Sequence, residues 1–146
     1  MAPVIWSSTA QKGCSLAKRI EVVGAVFIRE GKILACKRSE SMSLPGFWEF
    51  PGGKIEKGET PEQALRRELD EELNCEANVG DHLVTTEHTY EFGTVVLSTY
   101  LCDLGTTEPT LEEHEEMRWL APSELRSVDW APADIPAVKL LEAGDF

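Results

Sequence analysis

The chain has 146 residues, 42% of them apolar and 27% charged, which suits one domain with one substantial core and leaves little room for extended disorder. Its 26 acids against 14 bases give a formal charge of −12 with no basic stripe, which argues against a nucleic-acid polymer or an anionic membrane surface as partner. A small anionic substrate stays admissible if metal ions bridge it to the protein.

Residues 1–18 are small and polar with little periodicity and predict a loosely held N-terminal extension ahead of a single domain over 19–146. The opening "MAPVIWSSTAQKGC" has no basic segment followed by a sustained apolar run, and no window approaches the ~18 apolar residues of a membrane span. Cys14, Cys36, Cys75 and Cys102 are scattered without CxxC spacing. The expectation is a soluble protein in a reducing, cytoplasmic setting with no disulfide framework.

"RIEVVGAVFIRE" (19–30) and "KILACKR" (32–38), joined by Glu-Gly, read as a β-hairpin. "SESMSLPG" (39–46) is a polar loop, "FWEF" (47–50) a short strand, and "PGGK" (51–54) the turn that closes it. From residue 60 the helix signal is strong. Thr60 suits the N-cap, Pro61 the first helical position, and Gln63 completes a capping box. Leu65, Leu69 and Leu73 make a buried stripe, and Asn74 can take the left-handed conformation that ends a helix. Strands are expected near 82–92, 94–103 and 116–120, a short helix in "APSELRS" (121–127), and a last helix near 134–143. Strands and helices mix without a βαβ repeat, so the class is α+β, a mixed sheet with helices packed on it.

The first helix poses a question. Glu68, Glu71 and Glu72 fall on one side of it, beside the leucine stripe, although like charges three or four apart repel by ~0.2–0.5 kcal/mol per pair. One reading is a solvated acidic face, helped by Arg66–Asp70 and Arg67–Glu71 pairs. The other is a metal site. "FPGG" upstream is a tight turn whose carbonyls can approach a ligand, Glu59 is spaced to pair with Arg67, and several carboxylates with a carbonyl suit Mg²⁺ or Mn²⁺. A divalent cation would relieve the repulsion.

"GKIEKGETPEQALRRELDEELNC" (53–75) resembles the Nudix box, G-x5-E-x7-R-E-U-x-E-E-x-G-U, with Gly53, Glu59, Arg67, Glu68, Leu69, Glu71 and Glu72 in place. Asn74 stands where glycine is usual and Cys75 where an aliphatic residue is usual; neither change removes a ligand. "LPGFWEFPGGKIEKGETPEQAL" and "WAPADIPAVKLL" (130–141) look like the MutT-type members of that family, so the likeness spans roughly residues 20–143.

The resemblance implies the Nudix α/β/α sandwich around a mixed central β-sheet. It also implies Mg²⁺-dependent hydrolysis of a nucleoside triphosphate to the monophosphate and pyrophosphate, with Mn²⁺ able to substitute. By the same likeness Glu68 and Glu72 are the principal metal ligands, with Glu71 close by and the Gly52 carbonyl completing the set. Arg67 and Glu59 support them, and Glu68 is the first choice of base. Glu113 in "LEEHEEMRW" is either a further ligand or base, or one more solvated acid. Arg38 is either a phosphate grip or a surface arginine, and Lys54 has weaker support for phosphate. Asp134 stands where MutT-type enzymes read the base edge; an ionised aspartate only accepts, so it prefers donors unless protonated, and it can equally cap the last helix. Phe50, Tyr100 and Trp130 are candidates for stacking on the base, each with a place in the core as the plain alternative. The substrate class is a free nucleotide and the expected state a monomer or homodimer. Sanitation of 8-oxo-dGTP, in the service of DNA repair, and hydrolysis of CTP or a modified dCTP both fit. Members that cleave ADP-ribose or dinucleotide polyphosphates usually carry extra elements not found here. A non-catalytic, nucleotide-sensing domain is the rival of another class, but such domains tend to lose box glutamates that this chain keeps.

Overall fold

Strands β1 (Arg19–Arg29), β2 (Lys32–Lys37), β3 (Trp48–Glu49) and β4 (Gly52–Lys54) lead into helix α1 (Pro61–Leu73). Strands β5 (Asn78–Tyr90), β6 (Gly93–Asp103) and β7 (Glu116–Leu120) follow, and helix α2 (Ile135–Ala143) comes after 3₁₀ turns at Pro122–Ser127 and Pro132–Asp134. The computed structural model describes residues 18–146, so the extension expected over 1–18 lies, Lys18 apart, outside the described residues.

β1 organises the sheet. It runs parallel to β6 over Arg19–Phe27, and its other edge is shared, antiparallel, between β4 near its start and β2 at its end. The Glu30–Gly31 hairpin has φ of 53° and 78°, the doubly left-handed turn that matches strand twist. The strand order is β3-β2-β1-β6-β5, with β4 on β1 and β7 on β2.

Alternation along β1 sends Val23, Ala25 and Phe27 to one face and Val26 to the other. The first group packs on Leu65, Leu69 and Leu73 of α1, all fully buried; Val26 packs with Ala137, Val138 and Leu141 of α2. Helices therefore cover both faces of a mixed sheet, the expected α/β/α arrangement. Cys36, Cys75 and Cys102 are buried free thiols.

Three local expectations are corrected and one is refined. "PGGK" is not a closing turn: residues 52–54 pair with β1, and Gly52 lies so close to the Val23 carbonyl that no Cβ would fit. β5 begins at Asn78, because residues with turn-like composition are paired through irregular register at Val79–Val84, where Gly80 passes close to the Leu101 carbonyl. The short helix expected over 121–127 is present, wound as 3₁₀ over Pro122–Ser127. Helix α2 starts at Ile135, and the Asp134 side chain makes no cap.

Candidate active site

The capping box forms as expected, with Gln63 N–H donating to Thr60 Oγ1 at 3.1 Å and Thr60 N–H to Gln63 Oε1 at 3.0 Å. It fixes the start of α1, and the leucine stripe fixes its rotation, so Arg67, Glu68 and Glu72 face the glycine strand β4. Arg67 then locks the corner. Its Nε and Nη2 fork onto Glu59 at 2.7 and 3.0 Å, Nη1 donates to Glu68 Oε2 at 2.9 Å, and Nη2 also reaches the Lys54 carbonyl at 2.9 Å. Hydrogen bonding from Arg67 holds the Glu59 carboxyl down at about 2. Glu71 stays exposed, 3.6 Å from Arg67 Nη1.

Glu68 and Glu72 meet the glycine strand directly. A Cβ on Gly53 would strike the Glu68 carboxyl, and Gly52 N–H donates to Glu72 Oε1 at 3.2 Å. Burial above all, then the nearby charges of Glu49, Glu68 and Glu113, push the Glu72 carboxyl up to about 10. Glu68 is raised as well, chiefly by burial, against the pull of Arg67. Glu113 reaches this cluster because its loop is stitched to the end of α1 and to β2. Thr110 N–H donates to Leu73 O at 2.7 Å, Glu112 N–H to Glu72 O at 3.0 Å, and Glu115 N–H to Lys37 O at 2.9 Å. These bonds also satisfy carbonyls that the end of a helix leaves open.

Among the described residues no three His, Cys, Asp or Glu side chains converge as a metal-holding group, since Glu68 is turned onto Arg67 and Glu72 onto Gly52. The donor set nonetheless fits a hard divalent cation. It is all oxygen, and burial with the neighbouring carboxylates disfavours ionised Glu72, a penalty that positive charge beside it would relieve.

Next to this cluster lies a cleft enclosing about 560 Å³ including its mouth. Its walls are apolar, from Val22, Leu44, Phe92, Val95, Leu97 and Ala133 among others, and Arg38, Ser43, Glu49 and Asp134 supply its polar groups. Asp134 comes to the cleft because β3 pairs with the segment before it, through Trp48 N–H to Asp129 O and Ala131 N–H to Trp48 O at 2.8 and 2.9 Å. Its Oδ1 accepts from Phe50 N–H at 3.2 Å. Burial first, and Glu49 second, raise its carboxyl well above the usual range. That environment favours the protonated form of Asp134, which can donate as well as accept, and the side chain makes no helix-cap hydrogen bond.

The expected residues divide. Gly52, Glu59, Arg67, Glu68, Glu71, Glu72 and Glu113 gather at one end, and Arg38, Phe50 and Asp134 line the cleft. Lys54 is exposed on β4 and outside the cleft lining. Trp130 is core: its indole N–H donates to Leu125 O at 2.6 Å and its ring packs on Phe50 at 4.7 Å. Tyr100 packs edge-on against His82 beside the α1 core, away from the cleft. The aromatic wall is instead Tyr90 and Phe92, stacked at 5.0 Å and 11°. Sequence reasoning passed over them, and over Glu49 and His114. The available signals were "YEF" in a hairpin end and an acid set between aromatic residues in "FWEF".

A mixed α/β/α sandwich, with a glutamate-rich helix laid on a glycine strand beside an apolar cleft, defines a phosphoanhydride-hydrolase type of site. The model for the NUDIX domain matches residues 18–141, and the chain belongs to that family. It is 41% identical over 128 residues to a CTP pyrophosphohydrolase of Escherichia coli, covering 86% of this chain and 91% of that one. It is 37% identical over 126 residues to a putative 8-oxo-dGTP diphosphatase 2 of Mycobacterium tuberculosis, covering 82% and 84%. Among solved structures, a MutT protein of methicillin-resistant Staphylococcus aureus superposes with a TM-score of 0.74 at 53% identity, covering 88% of this chain and 99% of that one. The chain is a Nudix hydrolase; hydrolases of this family generally need a divalent metal ion and act on small-molecule nucleotides. No helix among the described residues is long and apolar enough to cross a membrane.

Proposed function

We propose that this protein is a Mg²⁺-dependent nucleoside triphosphate pyrophosphohydrolase, with Mn²⁺ able to substitute, that converts a (d)NTP and water to the (d)NMP and pyrophosphate in sanitation of the nucleotide pool. The observation that carries this is adjacency: the Glu68–Glu72–Glu113 cluster adjoins a cleft with apolar walls and a buried Asp134. That is the layout needed to hold a triphosphate at one end and a base at the other.

Glu68, Glu71, Glu72 and Glu113, with the Gly52 carbonyl, would hold the ion. When bound, it neutralises phosphate charge and eases deprotonation of water. Glu68 is the first choice to take the proton from the attacking water, being half-buried and raised toward the range where a carboxylate is a useful base. Arg67, oriented by Glu59, holds the Glu68 carboxylate against β4. The cleft walls exclude water from the base, Asp134 reads its edge, and Arg38 acts from the cleft wall beside Ser43.

The favoured substrate class is an oxidised guanine nucleotide of the 8-oxo-dGTP type. A second reading, CTP or a modified dCTP, is supported by the E. coli relative's name and identity. Asp134, whose burial favours its protonated form, then offers a donor and an acceptor and serves either base. In this reading residues 19–146 act as one unit, a monomer or homodimer in the cytoplasm, on free nucleotides rather than polymers; the acidic surface favours that.

The test is pyrophosphate release from 8-oxo-dGTP, dGTP, CTP and 5-methyl-dCTP with and without Mg²⁺. Metal-dependent release from at least one is expected, and its rank order decides the base. No release from any would favour a sensing domain. Glu72→Gln should lower kcat by at least about a hundredfold. It should leave the metal-free melting temperature equal or higher, because the amide replaces a carboxyl that holds a proton there anyway. Near wild-type turnover would remove Glu72 from the ligand set.

A further inference from the structure

Glu49 has no place in the Nudix box, yet it sits between the two halves of the site. One oxygen takes Arg38 Nη1 at 2.6 Å and the other takes His114 Nε2 at 2.8 Å. The Arg38 and Glu49 side chains are each 14% exposed, and that of His114 is 0% exposed. Short charge-assisted bonds in such surroundings are strong and mutually polarising.

The two ends of this chain of bonds lead to different places. Arg38 lines the cleft, and it also holds the loop that walls it, through Nε to the Ser43 carbonyl and Nη2 to Ser43 Oγ at 3.0 Å. With Nε, Nη1 and Nη2 so engaged, a base or ribose seated against Arg38 competes with Glu49 for the guanidinium. At the other end His114 follows Glu113 in the loop stitched to α1. Its ring is held by the Glu49 contact, for among the described residues no group hydrogen-bonds to Nδ1. The Glu49 bond is therefore the side-chain anchor of the residue next to Glu113.

We infer that Glu49 is a positioning residue that couples the base cleft to the carboxylate cluster, so that a base bound in the cleft sets the loop bearing Glu113 through Arg38, Glu49 and His114. The inference rests on the pyrophosphohydrolase reading. It assigns Glu49 a role in matching metal affinity to base occupancy, and it differs from a bland role for Glu49 in holding β2 to β3. A bland role would alter melting temperature and both affinities, but not the factor by which one ligand changes the affinity for the other.

That factor is what the experiment reads. Mn²⁺ affinity is measured by calorimetry with and without saturating cytidine or 8-oxo-2′-deoxyguanosine, which carry a base and no phosphate to chelate the metal. In the wild type the matching nucleoside should tighten Mn²⁺ binding by about fivefold or more, and Mn²⁺ should tighten nucleoside binding equally. In Glu49→Gln the factor should fall close to one. His114→Gln, whose amide can donate where Nε2–H does, should keep it, and His114→Leu should lose it. If Glu49→Gln does not fold, the two His114 variants decide alone. A wild-type factor of one, or a full factor in Glu49→Gln or His114→Leu, overturns the inference and leaves the proposed reaction standing. A wild type that binds neither Mn²⁺ nor nucleoside overturns both.

Discussion

A methyl group on Gly53 would land on the carboxyl of Glu68, and one on Gly52 on the backbone of Val23. Adjacent glycines thus answer to different constraints. Glu68 is a flexible arm and can swing aside, so Gly53→Ala should keep stability within ~1 kcal/mol while kcat drops at least about tenfold. The Val23 carbonyl cannot move without parting β1 from β4, so Gly52→Ala should cost ~1–3 kcal/mol or more. Melting curves and steady-state kinetics on both variants check this; equal destabilisation by the two would mean that Glu68 does not rest on the glycine strand. At this scale the box residues were legible because their spacing is a pattern within one segment. Glu49 and His114 were not. Their contacts join residues 11 and 65 positions apart, and no periodicity in the sequence marks an isolated half-buried acid or a histidine inside a run of acids. Of the three aromatic stacking candidates, Phe50 lines the cleft and two do not, for the same reason. Trp130 and Tyr100 are set by which face of the sheet they meet, whereas Tyr90 and Phe92 reach the cleft because the β5–β6 hairpin ends there.

Helix α1 could be read almost to the residue because its signals are local. Thr60, Pro61 and Gln63 set its start, and Asn74, at φ 49° and ψ 47°, sets its end. Thr60→Ala should cost ~1 kcal/mol of stability with kcat unchanged, since the cap lies a full turn and more from Glu68. Asn74→Gly should be neutral or stabilising, and Asn74→Ala should cost ~1 kcal/mol or more, because a β-carbon disfavours the left-handed conformation. A Thr60→Ala protein with wild-type stability, or an Asn74→Gly protein less stable than Asn74→Ala, would contradict this account of the helix ends. β4 and the start of β5 were misread for the opposite reason. Glycine and asparagine there look like turns by composition, but pairing with β1 and with the end of β6 overrides that preference. The tertiary step that places the α1 face against β4 is what turns a row of glutamates into a site.

The whole molecule carries a charge of −12 and places several carboxylates around one turn of one helix, so its stability should depend on pH and on divalent cations together. Glu72 is the sharpest case, its carboxyl raised from the ordinary 4.5 to about 10 by burial and by Glu49, Glu68 and Glu113. Between those values the folded protein holds a proton that the unfolded chain has released. Stability from this group is therefore complete below about 4.5 and declines as pH rises toward 10. A divalent cation beside Glu72 replaces that proton, so binding near neutral pH should release protons and should strengthen as pH rises. In melting experiments without divalent ion, stability should fall from pH 6 to pH 9. With millimolar Mg²⁺ the fall should flatten, and the rise in Tm caused by Mg²⁺ should be larger at pH 8.5 than at pH 6.5. NaCl at matched ionic strength screens the surface charge at both pH values and should not reproduce that pH-dependent difference. In Glu72→Gln, which has no proton to exchange, most of the pH dependence of the Mg²⁺ effect should vanish. If NaCl matches Mg²⁺ at every pH, the acidic face of α1 is only solvated surface and the carboxylates do not act as a metal site.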